Sequence, residues 1–189
     1  MCKGHPPAFQ GVSPFVYLGD TAANVVRMKN GNRRLCYYFA ERMVESLLQA
    51  FTIEDGAVLL PIPATKKKLG MRGYNQALDL AEAVEDALQN CGIQATLYTD
   101  ALVKRRETPP QKHLNLQERT NNLQGVFHLQ TRTILKGKTV IIVDDIMTTG
   151  ATGDVCATLC KGAGAKRVLL LCAAAVPEKQ ASELGEDDE

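Results

Sequence analysis

Three unbroken apolar runs constrain the architecture of this 189-residue chain more than anything else in it: Ala57-Val58-Leu59-Leu60, Val140-Ile141-Ile142-Val143 and Val168-Leu169-Leu170-Leu171-Cys172-Ala173. A strand with one wet face alternates apolar and polar residues, and these runs do not, so both of their faces must be covered. The covers lie between them. Cys36, Phe39, Ala40, Met43, Val44, Leu47, Leu48 and Phe51 repeat at helical spacing, as do Ala77, Leu80, Ala81, Val84, Leu88 and Cys91 before Gly92. A further helix runs through Leu159 to Gly162. Strands alternating with helices predict an α/β fold with a central, mostly parallel sheet flanked by helices. Ligands of such sheets bind beyond the C-terminal strand ends, where Pro61-Ile62-Pro63 and Asp144-Asp145 both fall. Ala95-Thr96-Leu97-Tyr98, Ala101-Leu102-Val103 and Gly125-Val126-Phe127-His128-Leu129 supply further strand material.

Residues 1–34 read as irregular, residues 35–177 as one α/β domain, and residues 178–189 as an acidic, disordered tail. The net charge of +1 and pI near 7.6 argue against a dedicated nucleic-acid or membrane surface. No apolar run approaches the ~20 residues of a membrane span, and Met1-Cys2-Lys3-Gly4-His5-Pro6-Pro7 has no signal-like apolar core. A cytoplasmic protein is therefore expected. Cys36, Cys91, Cys156, Cys160 and Cys172 fall in apolar periodic segments, where a reduced thiol acts as a small hydrophobe. Cys2-x-x-His5 offers only two ligands where a structural zinc takes four, so no zinc is expected.

The chemistry concentrates behind the middle apolar run, in Asp144-Asp145-Ile146-Met147-Thr148-Thr149-Gly150-Ala151-Thr152. Two adjacent carboxylates at a strand end can grip two vicinal hydroxyls. The small-residue turn after them presents backbone N–H groups and hydroxyls at a helix N-terminus, which suits a phosphate. A diol and a phosphate held at one turn describe a ribose 5-phosphate. The plainer alternative is a solvated Asp pair that merely caps a helix.

The spacing resembles the signature of the type I phosphoribosyltransferases: apolar strand, two acids, three variable residues, then Thr149-Gly150-Ala151-Thr152 in the place of Thr-Gly-x-Thr. The resemblance implies binding of phosphoribosyl pyrophosphate, with Asp144 and Asp145 on the sugar hydroxyls and residues 148–152 around the 5-phosphate. Such a transfer expels pyrophosphate, usually with Mg2+, while positive charge builds at the anomeric carbon. Basic and polar stretches could serve it: Lys66, Lys67, Lys68 and Arg72; Lys104 to Gln111; and Glu118 to Asn122.

Taken with Pro61-x-Pro63, Arg72-Gly73-Tyr74-Asn75-Gln76, Arg105, Thr108, Gln111, Arg119-x-x-Asn122, Gly125-x-Phe127 and Lys29-x-Gly31, the signature resembles the ComF/GntX family. The resemblance implies a type I phosphoribosyltransferase-like fold with a small N-terminal hood, residues 1–34 being a remnant of the family's zinc module. It implies a catalytic set of Asp144, Asp145, Arg105 and Arg119. Substrate contacts would come from Thr148, Thr149, Gly150, Ala151, Thr152, Ile62, Pro63, Ala64, Arg72, Gln111 and Asn122. Mg2+ would arrive with the ligand rather than on protein side chains. Purine-salvage members of the superfamily carry an Asp where this chain has Thr148, so purine chemistry is disfavoured.

Two functions compete. One is transfer of the phosphoribosyl group to a nitrogen nucleophile with release of pyrophosphate. The other is a catalytically silent phosphoribosyl-pyrophosphate-binding module acting in competence and DNA uptake, through single-stranded DNA or DNA-processing proteins. The absence of Trp and the low aromatic content, 5%, weigh against direct base stacking.

Overall fold

A computed structural model describes residues 6–65, 69–70, 73–105 and 125–177. Cys2, His5, the Lys66 to Lys68 run, Arg72, Thr108, Gln111, Arg119, Asn122 and the acidic tail, all named above, lie outside them.

In chain order the elements are β1 (Gln10–Val12), β2 (Phe15–Val16), α1 (Gly19–Lys29), α2 (Arg33–Ala50), β3 (Ala57–Pro61), α3 (Gln76–Asn90), β4 (Ala95–Leu97), β5 (Leu102–Lys104), β6 (Phe127–Leu129), a 3-10 turn (Thr133–Leu135), β7 (Thr139–Met147), α4 (Ala151–Gly162) and β8 (Arg167–Ala175). The main sheet runs β1-β8-β7-β3-β4, with β2 also on β8. Its pairings are all parallel, whereas β5 and β6 form a separate antiparallel pair.

The apolar runs form the sheet's centre because successive side chains feed opposite faces. Leu59, Ile141, Val143, Leu169 and Leu171 enter a core with α1, α2 and α3. Val58, Leu60, Val140, Ile142, Val168 and Leu170 enter a second core with α4 and the β5–β6 pair. Val140, Ile141, Ile142 and Val143 have no exposed surface. Each such side chain contributes roughly 1.5–3 kcal/mol on burial. Pro61 ends β3 without harm to the ladder. Pairing with β4 stops at Leu59, so the proline's missing N–H faces no partner there.

Three expectations change, two of them in the strands and their surroundings and one at Cys91. The N-terminal stretch is not irregular: β1 and β2 pair with β8 in one continuous register, interrupted at Ser13-Pro14, and α1 follows. Strands of three and two residues are too short to show a period. Second, the acid pair does not terminate its strand. The β7 ladder on β8 continues to Met147, with Asp144 opposite Cys172. On the other side, pairing with β3 ends at Val143, so the acids sit in a strand with one flank open. Side chains help maintain it: Asp144 Oδ1 accepts the Asp145 N–H at 2.9 Å and Asp145 Oδ1 the Ile146 N–H at 2.8 Å.

Cys36, Cys156, Cys160 and Cys172 are buried as core residues, and burial pushes their thiols up, Cys36 to about 11 and Cys160 to about 12. Cys91, at the end of α3, is exposed instead.

Candidate active site

The open flank of β7 is where the site assembles. Ile62 continues the line of β3, its N–H donating to Val143 O at 2.9 Å, which brings Ile62, Pro63 and Ala64 beside the acid pair. Its carbonyl is held in turn by Asn75 Nδ2 at 3.1 Å, while Asn75 Oδ1 caps α3 by accepting the Ala77 N–H. One side chain thus fixes both the exit of β3 and the start of α3.

The turn after β7 carries Thr148, exposed, then Thr149 and Gly150, partly exposed, and leads into α4 with Ala151 buried. Gly150 is the N-cap residue with φ of +75°, a left-handed conformation that side-chain-bearing residues avoid. Residues 150–152 therefore turn their backbone N–H groups toward the helix mouth, where the dipole favours an anion. The Ala151 N–H donates to Thr149 Oγ1 at a long 3.4 Å. Asp154, in the first turn, would oppose an anion there. Its Oδ1 accepts the Ala8 N–H at 2.6 Å, tying the segment before β1 to α4. Phe9 stands over the turn, 3.2 Å from where a Cβ on Gly150 would lie.

The two acids occupy different surroundings. Asp144 keeps some exposed surface, yet the protein around its carboxyl desolvates it, and this burial raises its pKa well above the ordinary aspartate value. The like charge of Asp145 adds to the rise, and Lys29 offsets part of it. Asp145 faces α1, where Lys29 Nζ lies 3.4 Å from its Oδ2, with side chains 9% and 18% exposed. A pair of adjacent carboxylates, one desolvated and the other cation-bound, offers two neighbouring acceptors, a suitable grip for two vicinal hydroxyls.

Arg105, expected among the catalytic residues, is exposed just beyond β5, its N–H donating to Val126 O at 2.8 Å. Asp144, Asp145, Ile62, Pro63, Ala64 and residues 148–152 thus gather at the C-terminal ends of the adjacent central strands β3 and β7.

Lys29 is the residue that sequence reasoning did not assign. In the last turn of an amphipathic helix a lysine reads as a complement to the helix dipole. Its only further signal was the Lys29-x-Gly31 pattern. Tyr74 and Gln76 likewise stood in a recognised motif without a role. Tyr74 Oη donates to Lys29 O at 2.7 Å, and Gln76 Nε2 donates to Met28 O at 3.2 Å.

The parallel α/β sheet thus carries an acid pair near the C-terminal end of β7 and a left-handed glycine turn into α4. Residues 75–188 match the phosphoribosyl transferase domain, and the chain belongs to that family. Among known relatives, the DNA utilization protein YhgH of Salmonella typhi is 30% identical over 179 residues, covering 90% of this chain and 74% of that protein. YhgH of Escherichia coli K12 is 30% identical over 116 residues, covering 60% of this chain and 48% of that protein, so the match spans about half the relative's length. Among solved structures, the glutamine phosphoribosylpyrophosphate amidotransferase of B. subtilis, complexed with ADP and GMP, superposes with a TM-score of 0.42 at 22% identity, over 71% of this chain and 25% of that one.

Proposed function

We propose that the chain binds phosphoribosyl pyrophosphate and transfers its phosphoribosyl group to a nitrogen nucleophile, releasing pyrophosphate. The observation that carries this reading is the convergence of the acid pair, the left-handed Gly150 turn and the Ile62 loop on one open strand flank in a chain of the phosphoribosyl transferase family. Asp144 and Asp145 receive the sugar hydroxyls, and the N–H groups of residues 150–152 receive the 5-phosphate. Ile62, Pro63 and Ala64 border the pyrophosphate side, where Arg72 would add charge. Arg105, Arg119, Gln111 and Asn122 belong to the expected closing segment.

Mg2+ fits this donor set as an ion carried on the ligand. The site's carboxylates would supply hard oxygen acceptors for its water shell. When bound it neutralises charge on the departing pyrophosphate. Among the described residues no helix is long and apolar enough to cross a membrane, and the reading requires none.

Calorimetry with phosphoribosyl pyrophosphate and Mg2+, followed by a pyrophosphate-release assay over a panel of amines and bases, tests the proposal. Binding with release supports it. Absence of binding refutes it.

The relatives' designation as DNA utilization proteins favours one second reading, a silent ligand-binding module that acts in competence or DNA uptake through DNA or DNA-processing proteins. It predicts phosphoribosyl pyrophosphate binding without turnover, together with a salt-dependent band shift on single-stranded DNA that is lost when Lys66, Lys67 and Lys68 are reversed in charge. No shift at low salt removes the DNA-binding form of this reading.

A further inference from the structure

The acid pair is adjacent in sequence, but one of its members is oriented from the far end of the chain. Asp145 is held by both carboxylate oxygens: Oδ1 accepts the Ile146 N–H at 2.8 Å, and Oδ2 lies 3.4 Å from Lys29 Nζ. Each oxygen keeps a lone pair for a ligand hydroxyl. The first of these contacts is local to β7. The second comes from α1, and a lysine ordinarily extends its ammonium into water. Here the side chain is only 9% exposed, so its direction is set by the fold.

The end of α1 is itself pinned. Tyr74 Oη holds the carbonyl of Lys29 and Gln76 Nε2 holds the carbonyl of Met28, at 2.7 and 3.2 Å. Between these two residues, Asn75 holds the carbonyl of Ile62 at 3.1 Å. Three consecutive side chains therefore tie the helix that carries Lys29 to the loop beyond β3. Most exposed ion pairs contribute little, because solvent screens them and long side chains resist ordering. This pair escapes both objections, being nearly enclosed and mounted on an anchored helix end.

The geometry points to Lys29 as a positioning residue for the sugar-diol site: through its ion pair it holds the Asp145 carboxylate in the direction that receives a ribose hydroxyl, and Tyr74 and Gln76 hold Lys29. This inference rests on the reading of Asp144 and Asp145 as the diol grip. It adds that discrimination for the diol depends on α1, an element outside the signature segment.

Ligand discrimination tests it. Affinities of the purified full chain for ribose 5-phosphate, 2-deoxyribose 5-phosphate and inorganic phosphate are measured by calorimetry for the wild type, Lys29→Met, Lys29→Arg and Tyr74→Phe. The wild type is expected to prefer the ribose over the deoxyribose ligand. Lys29→Met should reduce that preference about tenfold while leaving inorganic phosphate affinity unchanged, as loss of a charge-assisted contact implies. Lys29→Arg should retain the preference, since it restores the cation. A Lys29→Met protein that keeps the wild-type preference overturns the inference. So does one that loses all three ligands equally, because that is what a merely structural lysine would produce. Should Lys29→Met fail to fold, Tyr74→Phe decides: a reduced preference supports the positioning role, and an unchanged one overturns it. If the wild type itself shows no preference for the ribose ligand, the diol reading fails and this inference falls with it.

Discussion

Substituting Gly150 with Ala separates the two demands, conformational and functional, that the proposed phosphate turn makes on its backbone. The position has φ of +75°, and a Cβ there would lie 3.2 Å from Phe9 Cζ. The left-handed conformation costs an L-residue roughly 1–2 kcal/mol. Restricting the unfolded chain returns about 0.4–1 kcal/mol of this. The contact with Phe9 adds a smaller term, since the ring must give by a few tenths of an ångström. Gly150→Ala should therefore lose about 1–2 kcal/mol, at about 2–4 °C in Tm per kcal/mol for a chain of this size. Gly92 supplies the control, with φ of +79° and nothing within 4 Å of its added Cβ. Gly92→Ala carries the conformational term alone and should fall about 1 kcal/mol or less. The difference between the two variants isolates the Phe9 contact, and Phe9→Leu should shrink it. Function separates them further. A shifted turn misdirects the N–H groups of residues 150–152, so Gly150→Ala should weaken inorganic phosphate binding about tenfold, equivalent to ~1.4 kcal/mol, while Gly92→Ala leaves it unchanged. Urea denaturation and calorimetry read both effects. Equal stability losses with no loss of phosphate affinity would refute the assignment of this turn to an anion.

Three other outcomes follow from the packing. Asp144→Asn should stabilise the fold at neutral pH while abolishing ribose 5-phosphate binding. Burial, and then the like charge of Asp145, raise the native Asp144 pKa, so the native state binds more protons than the unfolded one and stability falls as pH rises through that window; the variant's advantage, read by urea denaturation, should vanish toward pH ~4. Asn75→Ala removes the cap of α3 and the hold on the Ile62 carbonyl, and should cost about 1–2 kcal/mol; a change below ~0.5 kcal/mol would show that neither bond matters. Ile142→Ala, at a fully buried position of the α4-side core, should cost about 2–5 kcal/mol, whereas Val16→Ser, 54% exposed, should stay within ~0.5 kcal/mol in the same denaturation series.

What could be read from the chain, and what could not, divides by the sequence distance over which each feature is encoded. The central strands were legible because burial on both faces leaves a contiguous mark: Val140 and Ile142 feed one core, Ile141 and Val143 the other, and none of the four can be polar. The turn between β7 and α4 was legible for the same reason, its strand, acids, glycine and helix start lying within one short run. By contrast β1 and β2 are edge pieces whose pairing with β8 comes from the opposite end of the chain, and three residues carry no period. The extension of β7 through the acids was hidden because Asp ordinarily marks a strand's end, whereas here each carboxylate accepts the next N–H. Lys29 was the least legible. Its meaning lies in an ion pair with Asp145, a partner more than half the chain away, and its local setting is fully explained by the helix dipole. A local motif can specify which groups meet a ligand, but not how they are aimed, because aim depends on what packs behind them. At this site the carboxylate paired from a distance is Asp145, so under the proposed diol reading variation in α1 or in residues 74–76 would change what the same Asp144-Asp145 signature recognises.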